Sequence, residues 1–574
     1  MRFILLMAVA VCGLGVVPAH AQTPCTAGTA GIYGCNNIDL EANVGISTFT
    51  TFEGADIWGW TDPDTGREYA LMTVMDGTGF VDITVPSSPV YLGKLPTNAG
   101  VNFWRDVKTY GYFAFIVADN VGSHGMQVFD LRRLRNVPSP PATFTADHID
   151  TNFGSAHNIA LNEATGFAYI VGSGECGGGL LILDVRDPLN STLSTCYGDS
   201  DVGRGYTHDT QCIVYDGPST AYAGREICFS SNEAGLSIAD VTDKQSIQEI
   251  SGTGYPNVSY AHQGWLSEDR KYFFANDEGD ESSFNFNTRT IVWNVEDIED
   301  PFIADEYVAS TASIDHNLYT AGDQVFEANY RSGLRILDAS DPENMSESGF
   351  FDTYPSSDAR GFNGAWSVYP YFRSGTIIVS DIESGLFILS SLLVPPRPGL
   401  WGRVLLEAAT ANDTLNVGVA PPLAQPFGAA PFSHAGTETI PGPQVAEAAA
   451  DWVLLTFDDG TTTTQTAALV LPDGRIVAAQ GYGAVDVPAT SASSFDITIA
   501  HRNHAPKTLT VAASANMVAD FGTLMANDPN QDGVSDAADI LGFWLPANGL
   551  IGYSAGDFNL DGAINALDVL GLLP

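Results

Sequence analysis

The chain has 574 residues, a length that predicts several domains rather than one core. Its 68 aspartates and glutamates outnumber its 24 lysines and arginines, which gives a formal net charge of −44 at pH 7. That charge argues against nucleic acid or an anionic membrane as a partner, permits divalent cations, and is typical of a solvated acidic surface.

The N-terminus has the pattern of a secretory signal peptide. Arg2 precedes an apolar stretch that continues through Val17, and Ala19-His20-Ala21 offers a small-residue cleavage site. We assign residues 1–21 to the signal peptide and expect a secreted, extracellular or cell-surface protein. No later run of about 18 apolar residues occurs, so we expect no transmembrane segment.

Six cysteines remain after the signal peptide. An even number in an exported chain favours disulfide bonds over a zinc–thiolate site, and the chain has no C-x-x-C pair. Six cysteines allow fifteen pairings. Proximity along the chain favours three of the possible bonds, namely Cys25–Cys35, Cys176–Cys196 and Cys212–Cys228.

Between Ala55 and Ser390 one unit of about fifty residues occurs seven times. Each unit contains short apolar runs separated by glycine- or asparagine-rich turns, a pattern that predicts four strands. The first strands are expected to start at equivalent dipeptides, which are Ala55-Asp56, Arg105-Asp106, His157-Asn158, His208-Asp209, His262-Gln263, His316-Asn317 and Gly364-Ala365. We therefore predict an all-β fold with a seven-bladed β-propeller over residues 51–394, after an N-terminal extension at 22–50.

The composition changes after the proline-rich run at residues 394–399. Residues 400–525 are rich in alanine, threonine and valine. Apolar and polar residues alternate at Phe495–Ala500, and Asp459-Gly460 and Asp473-Gly474 read as hairpin turns. This segment is predicted to form a small β-sandwich.

Residues 526–574 carry the most specific chemical signal. Calcium requires six to eight oxygen ligands, and a twelve-residue loop supplies them at positions 1, 3, 5, 7, 9 and 12. Two loops match this pattern, and the glycine at position 6 permits a sharp turn in each. The predicted ligands are Asp528, Asn530, Asp532, the Val534 carbonyl, Asp536 and Asp539 in the first loop, and Asp557, Asn559, Asp561, the Ala563 carbonyl, Asn565 and Asp568 in the second. Turns that cap helices without metal are the alternative.

Four consecutive repeats open with a histidine, at His157, His208, His262 and His316. A propeller places equivalent residues in a ring around one axis, and turns on the same face carry carboxylates. We expect a divalent-metal or polar-ligand site there, with blade-bracing histidines and catalysis as alternatives. The other candidate residues at this face are Glu233, Asp277, Glu278, Asp106 and Arg105, the last as an anchor for an anionic ligand.

Several runs of the repeat region resemble the choice-of-anchor B family of exported bacterial proteins, which are built from LVIVD repeats. They include Trp104–Lys108, Ser155–Ile159, Asp315–Tyr319, Asn329–Arg335 and Gly364–Pro370. The resemblance covers about residues 25–393 and implies a bacterial protein outside the cell or at its surface. It supports the pairings of Cys176 with Cys196 and of Cys212 with Cys228, and it implies no known reaction.

The paired calcium loops resemble a type I dockerin. The resemblance implies calcium-dependent folding and attachment to a cohesin-like protein or a cell-surface component. In that family, loop positions 10 and 11 face the partner. Here they are Ala537-Ala538 and Ala566-Leu567, which are small and apolar.

Together these patterns favour a secreted or cell-surface binding protein. Its propeller would present a ligand or metal-binding face, and a dockerin-like calcium module would attach it. The alternative is a metal-dependent extracellular hydrolase or lyase acting on polysaccharide or another polymer. A structural scaffold is the third hypothesis. Calcium in the C-terminal loops and a second divalent metal in the propeller are the expected cofactors.

Overall fold

The computed structural model describes residues 22–198, 206–411, 413–526, 528–532 and 537–569. The predicted signal peptide lies outside the described residues. No helix in the described part of the chain is both long and apolar enough to cross a membrane.

Seven antiparallel sheets form the blades of the propeller, which confirms the predicted fold class for this part of the chain. The first strand of each blade is innermost. Blades 1 to 3 contain Gly54–Thr61, Glu68–Val74, Gly77–Asp82 and Val90–Pro96; Arg105–Tyr110, Phe113–Ala118, Met126–Asp130 and His148–Asp150; and Asn158–Asn162, Phe167–Val171, Leu180–Asp184 and Thr192–Tyr197. Blades 4 to 6 contain Asp209–Val214, Glu226–Ser231, Gly235–Asp240 and Gln248–Gly254; Ala261–Leu266, Tyr272–Asp277, Arg289–Asn294 and Phe302–Val308; and Asn317–Ala321, Gln324–Ala328, Leu334–Asp338 and Ser346–Phe351. Blade 7 contains Ala365–Tyr369, Ile377–Asp381 and Gly385–Ser391.

Ile38–Val44 supplies the fourth strand of blade 7 and closes the ring. It pairs antiparallel with Gly385–Ser391. Gly385 has a φ of 87°, and a Cβ there would lie 2.4 Å from the carbonyl oxygen of Val44, so this junction requires glycine. The N-terminal extension is thus part of the propeller.

Further short elements extend two of the blades. Thr29–Ala30 and Tyr33–Asn36 form a hairpin that adds to blade 6, and Ala142–Thr143 adds to blade 1. The helical elements of the propeller are the α-helix Asp280–Phe284 and the 3-10 turns Ile46–Phe49, Leu131–Leu134, Glu175–Gly178, Thr220–Tyr222 and Pro342–Asn344.

Blades are held together by apolar side chains that lie between adjacent sheets. The central strands are buried on both faces, which explains their continuous apolar runs, as in Leu180–Asp184. Phe115 and Val128 of blade 2, for example, pack with Ile159 and Leu181 of blade 3.

The three predicted disulfide bonds are present. Cys25 bonds Cys35, Cys176 bonds Cys196, and Cys212 bonds Cys228. Cys212 and Cys228 face each other on the two innermost strands of blade 4. Nearness in sequence therefore identified all three pairs.

Eight strands after the propeller form one sheet, which we call the sheet domain. They are Gly399–Leu406, Asp451–Asp458, Thr463–Val470, Arg475–Val477, Val485–Asp486, Ser494–His501, His504–Ala512 and Asn516–Leu524. The first strand pairs in parallel with the last, and a bridge between His504 and Ala526 brings the two edges of the sheet together. The predicted β-sandwich is not confirmed, because these strands belong to a single sheet.

Short elements complete the C-terminal half. Thr410–Ala411 pairs with Thr414–Leu415, and Pro443–Ala448 is a helix beside the sheet domain. Helical turns begin within the last three residues of the first predicted calcium loop, at Ala537–Asp539, and continue at Ile540–Trp544, a π-helix, and Leu545–Ala547. No helix follows the second loop through residue 569, the last described, so a dockerin-like helical module is not confirmed.

The sheet domain packs against the end of the propeller where the inner strands finish. Ala164 and Val214 of the propeller share a hydrophobic core with Trp452 of the sheet domain and with Val445 of the adjacent helix. Polar contacts reinforce the junction. Asn516 donates a hydrogen bond of 2.7 Å to Glu68, and Arg373 lies 2.8 Å from Asp486.

Candidate functional site

The four repeat histidines lie side by side where the inner strands begin, at the end of the channel that we call the histidine face. Their ring centroids are 4.4 Å apart for His157 and His208, 4.0 Å for His208 and His262, and 4.4 Å for His262 and His316. The last three are buried, and His157 is partly exposed. The closed ring of blades thus brings together imidazoles that are far apart in sequence.

Glu278 joins two of these histidines in a compact cluster. Its carboxylate oxygens lie 4.0 Å from Nε2 of His262 and 3.7 Å from Nε2 of His316. One ligand atom from each of the three residues lies within 4.8 Å of the others. We call His262, Glu278 and His316 the mouth cluster.

Two hydrogen bonds fix the orientation of the mouth cluster. Nδ1 of His316 lies 2.6 Å from the carbonyl oxygen of Trp366, which accepts a hydrogen bond from it, and this leaves the Nε2 lone pair on the side of Glu278. The hydroxyl of Tyr330 donates a 2.7 Å hydrogen bond to Glu278. Metal ligands in proteins are commonly held in place by such hydrogen bonds to neighbouring groups.

Burial favours the neutral form of His208, His262 and His316. It lowers the pKa of His208 and His262 well below their usual range, with help from neighbouring imidazoles, and it lowers the pKa of His316 to about 3. Burial also raises the pKa of Glu278, against the hydrogen bond from Tyr330. Neutral imidazole is the form that binds metal.

The other two histidines also contact neighbouring blades. Nδ1 of His208 lies 2.8 Å from the carbonyl oxygen of His262, a bond that joins blade 4 to blade 5. Nδ1 of His157 lies 3.1 Å from Asp119. His208 and His316 thus both connect neighbouring blades through Nδ1, and Nε2 of His316 also lies near Glu278.

Asp277 stays outside the mouth cluster although it is next to Glu278. Its carboxylate accepts hydrogen bonds from the backbone of Ser259 (2.7 Å) and Tyr260 (2.6 Å) and from the hydroxyl of Tyr255 (2.8 Å). These contacts fix the turn that presents Glu278.

Arg105 is buried at the start of the first strand of blade 2, and its guanidinium reaches the loop between blades 1 and 2. Its guanidinium donates to the carbonyl oxygens of Asn102 (2.9 Å) and Gly100 (3.1 Å) and to the hydroxyl of Thr97 (2.6 Å). Burial lowers its pKa to about 10. These bonds occupy the group that was proposed to anchor an anion.

Asp106 lies deeper in the channel. It forms an ion pair with Lys108, which lies 3.2 Å from Asp56, and it accepts a 2.8 Å bond from the amide of Ile159. All three charged side chains are buried. Asp106 thus belongs to a channel ion pair that joins blades 1, 2 and 3.

Glu233 and Tyr330 occupy equivalent turns after the second strands of blades 4 and 6. Both have positive φ, 38° and 36°, and both pair with the first strand of the next blade, at Ala261 and Ala365. Sequence reasoning missed Tyr330 as a functional neighbour. Its place in the repeat, equivalent to those of Glu233 and Glu278, is the signal that could have found it.

The second calcium loop fits a calcium ion. Asp557 and Asp568 at positions 1 and 12 are buried, and Oδ1 of Asp557 has no hydrogen-bond partner among the described residues. Burial raises the pKa of Asp557 to about 6, and the charges of Asp568 and Asp561 add to that effect. A bound cation would relieve this repulsion.

The other oxygens of the second loop are held by local bonds. Asn559 accepts from the amide of Asp561 (3.0 Å), and Asp561 accepts from that of Ala563 (2.9 Å). The amide of Asn565 donates a 2.7 Å bond to Asp568. Gly562 has a φ of 84°, as the sharp turn requires.

The first loop is described in part. Asp528 and Asp539 are buried, and the amide of Asp532 donates to Asp528 (3.0 Å) and to Asn530 (2.8 Å). Val534 and Asp536 lie outside the described residues.

Both loops dock on one turn of the sheet domain, Arg502-Asn503. The side chain of Asn503 donates a 2.7 Å bond to the carbonyl oxygen of Asp557, and its own carbonyl accepts from the amide of Asp528 at 3.2 Å. Arg502 donates to the carbonyl oxygen of Ser554. The loops are therefore anchored to the sheet domain where their first ligands lie.

This architecture defines a seven-bladed β-propeller with a capping sheet domain. The family model described as LVIVD repeat matches residues 320–353, which form most of blade 6. A search of curated proteins found no match.

Solved structures that are similar to this chain include the following three. A functionally unknown protein from Desulfotomaculum acetoxidans DSM 771 is 10% identical, with 54% of this chain and 87% of that one covered at a TM-score of 0.39. The Cps50 (Swd1) β-propeller domain of Myceliophteria thermophila is 11% identical, with 59% and 96% covered at 0.38. A protein from Lactobacillus plantarum is 12% identical, with 57% and 88% covered at 0.39. All three TM-scores are below 0.5, and these likenesses carry no functional argument.

Proposed function

We propose that this protein is an exported or cell-surface binding protein whose propeller holds a divalent transition metal at the histidine face. The observation that carries this proposal is the mouth cluster, in which ligand atoms of His262, Glu278 and His316 lie within 4.8 Å of one another. Two imidazoles and one carboxylate are a donor set that suits zinc. The metal would serve as a fixed positive charge for a ligand that approaches the channel.

The C-terminal loops are proposed to bind calcium and to attach the protein. The buried Asp557 and Asp568, the unpartnered Oδ1 of Asp557 and the turn at Gly562 support calcium binding. The resemblance to a dockerin favours a cohesin-like protein or a cell-surface component as partner. Secretion is supported by the three disulfide bonds, which persist in oxidising compartments.

Zinc titration of the full chain tests the metal proposal. We expect calorimetry to detect one zinc ion per propeller after chelator treatment and dialysis. His262→Ala with His316→Ala should weaken zinc binding by more than the roughly 10- to 100-fold that loss of an outer-shell partner costs. His434→Asn is the matched control, because this histidine lies beside Glu438 in the C-terminal half at 3.0 Å. Equal zinc affinity in the double variant and the wild type would refute the site.

A metal-dependent hydrolase or lyase is the second candidate. It is favoured by the three-ligand set, which leaves a fourth position for a reactant, and by the partial exposure of Glu278. Turnover of a polysaccharide or phosphoester panel that requires zinc and is lost in the double variant would support it. Absence of turnover with zinc bound would favour the binding protein.

A further inference from the structure

The end of the channel opposite the histidine face opens into a cavity of about 1000 Å³. Its walls are the last residues of the inner strands and the edge of the sheet domain. Trp58, Trp265, Tyr319 and Tyr371 line it from the propeller, and Tyr482 lines it from the sheet domain. The sheet domain therefore completes the cavity rather than acting as a distant spacer.

One wall of this cavity is aromatic. Tyr319 lies 4.9 Å from Trp265 and 5.6 Å from Trp58, and Trp58 lies 6.2 Å from Tyr371, measured between ring centroids. These residues come from adjacent blades, namely blades 5, 6, 7 and 1. Both tryptophans are only half-buried, so part of each ring remains accessible.

The opposite wall carries polar groups among apolar side chains such as Ile159 and Leu161. Blades 2 to 4 contribute Lys108, Asn162, Thr210 and Gln211 to the cavity lining. An aromatic and apolar lining with a small number of polar groups is typical of pockets that bind small molecules.

Most of the cations that line the cavity are paired with carboxylates, and Arg397 is the exception among the described residues. Lys108 is held by Asp56 and Asp106, and Arg475 lies 2.7 Å from Asp473. Arg373 and Arg270 are likewise paired, with Asp486 at 2.8 Å and Asp216 at 3.0 Å. An anionic ligand would have to compete with these carboxylates, so the lining favours a neutral ligand.

Glu163 adds a hydrogen-bonding group to the cavity. Glu163 is an exposed residue that lines the cavity. The surrounding protein nevertheless desolvates its carboxyl group and raises its pKa to about 7, although the charge of Arg475 acts in the opposite direction. Near neutral pH this carboxyl can therefore donate as well as accept a hydrogen bond.

We propose that this cavity binds a neutral oligosaccharide. A sugar ring presents an apolar C–H face that can pack on Trp58 or Trp265, while its hydroxyls can reach Glu163 and Gln211. The volume is at the upper end of the ~300–1,000 Å³ of small-ligand pockets, which suits several sugar rings. A neighbouring cavity of about 550 Å³ shares Asp216, Pro441 and Gln480 with the first, so the space continues along the domain junction.

Calorimetry and tryptophan fluorescence on the full chain test this proposal. The probes are cellotetraose, xylotetraose, mannotetraose and maltotetraose, with oligogalacturonate as the anionic comparison. We expect at least one neutral probe to bind and to change tryptophan emission. Glu163→Gln should weaken binding about fivefold, and Trp265→Ala at least about tenfold. Trp104→Ala is the matched control, because this tryptophan lies at the histidine face near His157.

The outcomes separate this site from the zinc site. Binding that persists in a chelator and is lost with Trp265→Ala supports the cavity, whatever the zinc titration shows. No heat with any neutral probe, binding of oligogalacturonate alone, or equal affinity in Glu163→Gln, Trp265→Ala and wild type would each overturn the proposal. Glu163→Gln removes no protein ion pair, so it remains informative if Trp265→Ala fails to fold.

Discussion

The two ends of the propeller channel carry different chemistry although the same seven strands build both. Where the inner strands begin, three buried imidazoles and Glu278 converge. Where they end, Trp58, Trp265 and Tyr319 form an aromatic wall beneath the sheet domain. Position along the inner strand therefore decides which chemistry a repeated residue contributes.

The two ends also differ in how the ring of blades forms a candidate site. At the histidine face the repeat itself makes the site, because one residue type recurs in four blades. At the other end the inner strands contribute different residues, and a second domain supplies the missing wall. Between them, Lys108, Asp56 and Asp106 form a buried ion-pair cluster that we interpret as structural.

Lys108→Met gives the largest expected effect and tests that interpretation. Removing the cation leaves two buried carboxylates without their partner, so the free energy of unfolding should fall by about 3–5 kcal/mol. Denaturant unfolding of the full chain provides the measurement. Lys271→Met is the control: its ion pair with Asp269 is 45% and 54% exposed and should contribute only about 0–1 kcal/mol. Equal losses in both variants would contradict a special role for the channel cluster.

Tyr330→Phe sharpens the contrast at the histidine face. The substitution removes the hydroxyl that holds Glu278, so zinc affinity should fall about tenfold. Zinc titration measures the loss, and the thermal midpoint without metal shows whether the fold has changed. Tyr307→Phe, on the outer strand of blade 5, should leave zinc affinity unaltered. A Tyr330→Phe protein with wild-type zinc affinity would mean that Glu278 does not need this bond.

Asn503→Ala tests whether the sheet domain supports the calcium loops as well as the cavity. Loss of the 2.7 Å bond to the Asp557 carbonyl should weaken calcium binding about fivefold. Calcium titration of the full chain, followed by circular dichroism, provides the measurement. Asn516→Ala, which loses a sheet-domain bond to Glu68 instead, is the matched control. If calcium has no effect on the wild-type protein, the calcium assignment itself fails.

The sequence predicted those features that the repeat encodes. The seven blades, the starts of their inner strands and the convergence of four histidines all follow from one period of about fifty residues. The disulfide pairs followed from short separations in a chain that is predicted to be exported. The sequence did not predict that Ile38–Val44 belongs to the propeller. Its partner strand, Gly385–Ser391, lies at the other end of the repeat region in sequence, so no local pattern indicates the pairing.

The contacts of individual side chains could not be predicted. Asp277 and Glu278 are neighbours in sequence, but only Glu278 joins the cluster, because the backbone of Ser259 and Tyr260 binds Asp277. The cavity depends on how the sheet domain packs on the propeller, through pairs such as Arg373 with Asp486. Such interdomain contacts leave no periodic pattern in the sequence.

The pH dependence of Glu163→Gln is the smallest effect and tests the environment of the cavity. The folded protein raises the pKa of Glu163 from 4.5 to about 7, so between these values the folded state binds more protons than the unfolded one. The contribution of Glu163 to the free energy of unfolding is fully present below pH 4.5 and is lost as the pH rises through about 7. The thermal midpoint of Glu163→Gln, relative to wild type, should therefore be higher at pH 8 than at pH 5. Exposed Glu296→Gln on blade 5 should follow the wild-type curve. If the difference in thermal midpoint between Glu163→Gln and wild type were constant from pH 5 to pH 8, the carboxyl of Glu163 would be fully hydrated. The raised pKa would then no longer support an enclosed cavity.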